Sequence, residues 1–136
     1  MRIRILSETE VRGLVGPAEA IGASREAYAA LGRGEVEQPD VITLRVLAHH
    51  GDVHGKGGYI HGTRHFSIKV ATGFAGNPAR GLPANSGAVW VFDAETGLFA
   101  LMLLDNGFLT ELRTGAAGAV AADHLARREV DTAAII

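Results

Sequence analysis

Arg113 stands three residues after Thr110 in the run Leu109-Thr110-Glu111-Leu112-Arg113-Thr114. Threonine is a favoured helix N-cap, so the spacing predicts a helix from Thr110 to about Arg127 with Arg113 in its first turn. A cation there opposes the helix dipole by about 0.3–1 kcal/mol. A bound anion reverses the sign, because free N–H groups, the dipole and the guanidinium then face one negative group. A carboxylate matches the arginine fork. A surface arginine paired with Glu111 or Asp105 would show the same spacing. Lys69 lies in the alternating run 65–70, on the face of His65 and Ser67 and opposite Phe66, Ile68 and Val70. It is either a lysine on the wet side of an amphipathic strand or a partly desolvated amine, whose lowered pKa would let it move protons. His49, His50 and His54, and again His61 and His65, carry metal-like spacings. The segment 51–58 is Gly-rich and no His-Glu-x-x-His motif is present, so no metal site is expected. His65 fits better as a residue lining the site.

Several elements must position these groups. Ser7-Glu8-Thr9-Glu10 has the capping-box pattern and opens a short helix carrying Val11, Leu14 and Val15. Gly16 ends it, and Pro17 suits the first turn of a second helix with a stripe of Ala20, Ile21, Ala27, Tyr28 and Leu31. Strand-like runs follow at 41–46, 65–70, 87–92 and 98–104, the last two flanking a five-residue hairpin loop at 93–97. Both hairpin strands are almost wholly apolar, so both faces should be covered, part of the cover coming from another subunit. The Gly- and Pro-containing stretch 71–86 reads as a long irregular connection. Gly115 and Gly118 interrupt an alanine-rich helix interior, each costing roughly 0.5–1 kcal/mol, which the close approach of another backbone or a ligand would offset. Residues 132–136 read as a short strand, apolar on both faces, of the kind that opens a parallel α/β sheet.

Composition narrows the classes. The chain has 136 residues, 47% of them apolar, enough for one domain with a real core. The net charge of −2 without a basic run argues against a nucleic-acid surface or a polybasic membrane patch. No cysteine is present, which excludes disulfides and fits a reducing compartment. The N-terminal apolar stretch is too short for a signal peptide, and no run reaches the ~20 apolar residues of a membrane span. A cytoplasmic location is the expectation.

The block 103–118, with Leu-Thr-x-x-Arg-Thr at 109–114, resembles the ornithine cyclodeaminase/mu-crystallin family. Phe66-Ser67-Ile68-Lys69-Val70, Asn77-Pro78, Gly81-Leu82-Pro83, Val91-Phe92-Asp93 and Thr96-Gly97 agree in order and spacing, from about Ser7 to Ile136. The resemblance implies an NAD- or NADP-dependent enzyme acting on an amino acid or cyclic imine, with the ectoine-utilisation enzymes as the most similar branch. It implies that Lys69, Arg113 and Arg45 converge on a substrate carboxylate, that Lys69 also orients or activates water, and that Ser86 and Thr114 lie near the cofactor. It implies an α+β fold: a mixed, largely antiparallel sheet with two N-terminal helices and one long helix, pairing as a homodimer. On this reading 1–129 form a substrate-binding and dimerisation domain. Residues 130–136 form the first strand of a Rossmann domain that the chain otherwise lacks, so no cofactor is expected on this chain alone. A non-enzymatic binding or scaffold module of the mu-crystallin type, or a truncated inactive relic, is the competing reading.

Overall fold

A computed structural model describes residues 3–134. Its elements run β1 (Arg4–Ser7), α1 (Glu8–Arg12), α2 (Pro17–Gly32), β2 (Val36–Glu37), β3 (Ile42–Val46), β4 (Gly51–Ile60), β5 (His65–Phe74), β6 (Asn85–Asp93), β7 (Phe99–Leu104) and α3 (Phe108–Leu125). The strands form one seven-stranded sheet in the order β1-β7-β6-β5-β4-β2, with β3 pairing β4 as well. Only β1–β7 is parallel; every other pair is antiparallel. The fold is therefore α+β, with a mixed and mostly antiparallel sheet. No helix among the described residues is long and apolar enough to cross a membrane.

The N-terminal helices follow from local rules. Ser7 caps α1, its hydroxyl accepting from the Glu10 N–H while the Glu10 carboxylate accepts from the Ser7 N–H at 2.8 Å. Pro17 opens α2, whose buried residues are Ala20 and Ala30. The expected apolar stripe is only partly used, because Tyr28 and Leu31 remain half exposed. Alanines on α2 and α3 let the two helices lie close together, and Arg25 on α2 reaches Asp123 on α3 at 2.7 Å.

Several expectations need correction. The Gly-rich segment 51–58, left out of the expected strands, forms most of the ten-residue β4. Gly51 lies directly under the Phe74 ring, where any Cβ would collide, and Gly55 packs on Ile42. Tight packing across the ladder thus demands the glycines that make the segment look irregular. The connection after Lys69 is shorter than 71–86, since β5 runs to Phe74 and β6 begins at Asn85. The hairpin loop at 93–97 forms, organised by Asp93, whose Oδ1 accepts from the Glu95 and Thr96 N–H groups and the Thr96 hydroxyl. Of the segment 130–136, residues 130–134 are exposed and irregular, and Ile135 and Ile136 lie outside the described residues.

Alternation places Leu6, Leu103, Val89 and Val91 beneath the helices on one face of the sheet, followed across β5, β4 and β3 by Ser67, Lys69, Lys56, His54, Asp52 and Arg45. The other face carries Phe66, Ile68, Val70, Trp90, Phe92, Phe99 and Met102, with no helix over it.

Candidate substrate-anion site

The site is built where α3 begins. Its helix starts at Phe108, and its N-cap is Gly107, three residues before the expected threonine cap and in the left-handed region at φ 93°. Asp105 does the capping: its carbonyl accepts from the Phe108 N–H at 2.9 Å, and its Oδ2 accepts from the Leu109 N–H at 2.8 Å. Asn106, also left-handed at φ 51°, and Gly107 turn the chain between the two. Sequence reading missed this because the motif offered a threonine with ordinary N-cap statistics, whereas the cap depends on two consecutive left-handed residues. The signal present in the sequence was Asp-Asn-Gly, a turn combination.

Two glycines let this turn sit on the sheet. A Cβ at Gly87 would stand 2.9 Å from the Val70 carbonyl oxygen and 3.6 Å from Gly107 Cα. Gly107 in turn lies against the Ser86 backbone. From below, α1 holds the turn in place: Arg12 stacks on the Phe108 ring at 4.0 Å, and Glu8 accepts from the Asn106 amide at 3.1 Å.

The close approach brings Thr110 over β5, where its hydroxyl accepts from Lys69 Nζ at 3.0 Å. Lys69 is half-buried, and burial, followed by the charges of Arg113 and Lys56, pushes its pKa below the ordinary lysine value, while Asp105 opposes that shift. Arg113 lies in the second turn of α3, not the first, because the helix begins earlier. Lys69 and Arg113 line the same cavity of about 490 Å³ between α2, α3 and the sheet, whose walls are otherwise mainly Ala, Val and Leu. A second cavity of about 240 Å³ lies on the other side of Thr110, lined by Asp52, His54, Asn85, Ser86 and Glu111 among others. Neither Lys69 nor Arg113 has a carboxylate within 4 Å among the described residues, so Arg113 pairs with neither Glu111 nor Asp105.

The remaining sequence candidates fall apart from this pair in differing degrees. Arg45 shares the sheet face, but its register partner is Asp52, then Gly73, so it stands two strands over and four residues along from Lys69 and lines neither cavity. Ser86 lines the smaller cavity beside Gly107. Thr114 lines neither cavity, and its hydroxyl donates to the Thr110 carbonyl at 2.7 Å. His65 is exposed at the start of β5 and lines neither cavity. His54 pairs with Asp52 at 2.6 Å and His61 with Glu37 at 2.8 Å, and no group of three potential ligands forms among the described residues. The close contact expected at Gly115 and Gly118 is not made by this chain: a Cβ at either would meet nothing within 4 Å.

A seven-stranded mixed sheet with a cation pair at the start of a helix defines the class, and comparison with known proteins places it. The model of the ornithine cyclodeaminase/mu-crystallin family matches residues 2–136, and the chain belongs to that family. It is 42% identical over 135 residues to a protein of Rhizobium meliloti (strain 1021) provisionally named a dehydrogenase, covering 98% of this chain and 41% of that protein. Among solved structures, it is similar to Δ1-pyrroline-2-carboxylate reductase of Thermococcus litoralis in complex with NADH and L-proline, with a TM-score of 0.87 at 28% identity over 93% of this chain and 39% of that one. It is also similar to an archaeal alanine dehydrogenase dimer with bound NAD, with a TM-score of 0.85 at 30% identity over 93% of this chain and 38% of that one. The chain thus spans about two fifths of the length of these proteins.

Proposed function

We propose that this chain is the substrate-binding and dimerisation part of an NAD(P)-dependent enzyme that interconverts an amino acid and its imine. The observation that carries the reading is the pair Lys69 and Arg113, which face one cavity without a carboxylate of their own. Two unpaired cations so placed repel each other, and an α-carboxylate between them removes that cost. Lys69, oriented by the Thr110 hydroxyl, and Arg113 hold the carboxylate, and the apolar wall contributed by α2 excludes water from the carbon that reacts. Lys69 is also placed to hold or release a proton on water near the imine carbon. Arg45 belongs to the same cationic face, at its far edge.

This chain fits the cofactor as one wall of its site. Ser86 meets Gly107 through its backbone at the smaller cavity, and the Thr114 hydroxyl, which donates to the Thr110 carbonyl, keeps only its acceptor lone pairs free. At the start of α3 the Asp105 carboxylate already takes the Leu109 N–H, so that group is not free for pyrophosphate. NAD(P) supplies the hydride acceptor or donor when bound. A second copy of the chain covers the apolar sheet face.

The test is substitution in the protein that carries this chain. Lys69→Ala and Arg113→Ala should each lower kcat/KM for the amino acid by ~100-fold, about 2.7 kcal/mol of transition-state stabilisation. Retention of wild-type kcat/KM in both variants would refute the assignment.

A further inference from the structure

Asp105 carries more than its place at the head of α3 requires. Its Oδ2 accepts from the Leu109 N–H at 2.8 Å, and a helix cap needs only that one oxygen. Its Oδ1 is buried and has no hydrogen-bond partner among the described residues. At 1% exposure, Asp105 is the one buried polar or charged side chain described. An asparagine, serine or threonine would cap the helix without burying a bare carboxylate oxygen, so capping alone does not account for an aspartate here. A neighbouring cation would. Lys69 pairs with Val89 and Val89 with Leu103, so the three leave one face in a row, and Asp105 follows Leu103 by one step of the same alternation. Asp105 acts on Lys69 as the one negative charge set against burial, Arg113 and Lys56.

We propose that Asp105 is a positioning residue of the anion site: its bare buried oxygen is the fixed countercharge that keeps the Lys69 amine protonated, at a remove that leaves the amine free for the substrate carboxylate. The inference rests on the proposed function and deepens it. The site faces two opposed demands. An amine drawn out of water near two other cations tends to shed its proton, and a neutral amine no longer holds a carboxylate. A carboxylate paired directly with the amine would retain the proton but would stand where the substrate must. Asp105 meets both demands. The Leu109 N–H holds its side chain and the Phe108 N–H its carbonyl, it lines neither cavity, and it makes no ion pair within 4 Å. Out of water, its charge reaches farther than that of a surface carboxylate. No other group near Lys69 does the same. On α3, Arg113 is itself a cation, and Glu111 lines the smaller cavity on the other side of Thr110. On β4, Lys56 is a cation and Asp52 is engaged by His54 at 2.6 Å. On α2, Tyr28 is the titratable group lining the larger cavity, and on α1 Glu8 pairs with Arg12 at 2.8 Å.

Asp105→Asn in the protein that carries this chain tests the assignment, because asparagine keeps an oxygen for the Leu109 N–H and removes only the charge. Asp105→Ser, a second neutral cap, should behave in the same way. The first measurement is the titration of the Lys69 side chain by NMR on lysine-labelled protein, its signal identified by its loss in Lys69→Met. The midpoint should fall by about one pH unit in Asp105→Asn. The second is calorimetric titration with propionate, a non-reacting carboxylate, from about pH 6 to about pH 10. At the acid end Lys69 is charged in both proteins, and the variant should bind propionate at least as tightly as the wild type, since a negative charge near the anion has gone. At the alkaline end it should bind about tenfold more weakly, since its amine has lost the proton. The two affinity profiles therefore cross. A lost cap or a loosened site weakens binding at every pH and gives no crossing. An unmoved Lys69 midpoint overturns the proposal, and so do parallel profiles; with wild-type propionate binding intact, either result leaves the proposed function standing. Absence of propionate binding in the wild type removes the proposed function and the positioning role with it.

Discussion

The two faces of the sheet carry opposite chemistry to what their surroundings suggest. On the face that carries α2 and α3, β5, β4 and β3 place Lys69, half-buried beside α3, and then Lys56, His54, Asp52 and Arg45, of which Lys56 and Arg45 are exposed. On the face no helix covers, Phe66 stacks on Phe92 at 4.9 Å, Phe92 lies 4.4 Å from Phe99, and Trp90 meets Phe99 edge-on at 6.5 Å. Ile42 and Leu44 on that face are 73% and 58% exposed. A contiguous apolar surface of this extent is what the proposed dimer would cover, since soluble monomers rarely present one. On the helix side, by contrast, Lys69 is drawn partly out of water against Thr110, where its charge is felt more strongly. On the proposed reading, one face holds a partner by area and the other a small anion by charge.

A charge placed on the apolar face should break the comparison most severely. Ile68→Asp puts a carboxylate at the centre of that face, beside Trp90. If a second copy covers it, the unpaired buried charge costs roughly 3–5 kcal/mol and should convert a dimer to monomer in sedimentation or light scattering. If the face stays in water, the same substitution leaves both the mass and the melting temperature nearly unchanged, and the dimer reading fails.

The junction between the two faces is the next most sensitive place. Gly87→Ala introduces a Cβ 2.9 Å from the Val70 carbonyl, backbone that cannot yield cheaply. The expected loss is about 1–3 kcal/mol in urea denaturation. The start of α3 should also lift from β5, weakening propionate binding through the Thr110–Lys69 bond. A smaller loss follows at Asp105: Asp105→Ala removes the α3 cap and should lower stability by about 1–2 kcal/mol. An unchanged denaturation midpoint would show that the cap contributes nothing.

How much of this was legible before any coordinates depends on the range over which each signal acts. The capping box at Ser7 and the hairpin loop at 93–97 are local, and both form as their residues dictate. The alternation in 65–70 placed Lys69 on the face opposite Phe66 and Ile68, and the motif at 109–114 drew attention to Arg113. Strand β4 was hidden because its glycines lower the local β preference, and the compensating contacts with Phe74 and Ile42 come from strands distant in sequence. The parallel pairing of β1 with β7 spans most of the chain and left no local mark. The neighbourhood of Lys56 and Lys69 was hidden for the same reason, since only the register of β4 on β5 sets them side by side. Thr110 was read as a cap when its hydroxyl instead orients the lysine, a distinction decided by the backbone angles of Asn106 and Gly107.

The smallest expected effect is also the one that separates holding a fold from holding a ligand. Lys69 is shifted downward by burial first and by the Arg113 and Lys56 charges next, with Asp105 pulling the other way. The folded chain therefore binds this proton less tightly than the unfolded chain, whose lysine titrates near 10.4. Between the lowered folded value and that point, the unfolded state carries more protons, so this group's contribution to stability rises as pH rises through the window. Below it, the charged lysine is a constant small liability. Lys69→Met should accordingly leave the melting temperature at pH 7 equal to or slightly above that of the wild type, and should flatten the part of the alkaline stability profile due to this residue. Anion affinity must move in the opposite direction, since a bound carboxylate favours the protonated amine: propionate binding should weaken as pH climbs through the lowered pKa and should be lost in Lys69→Met at every pH. A methionine variant that melts well below the wild type would mean that Lys69 serves the fold rather than the anion.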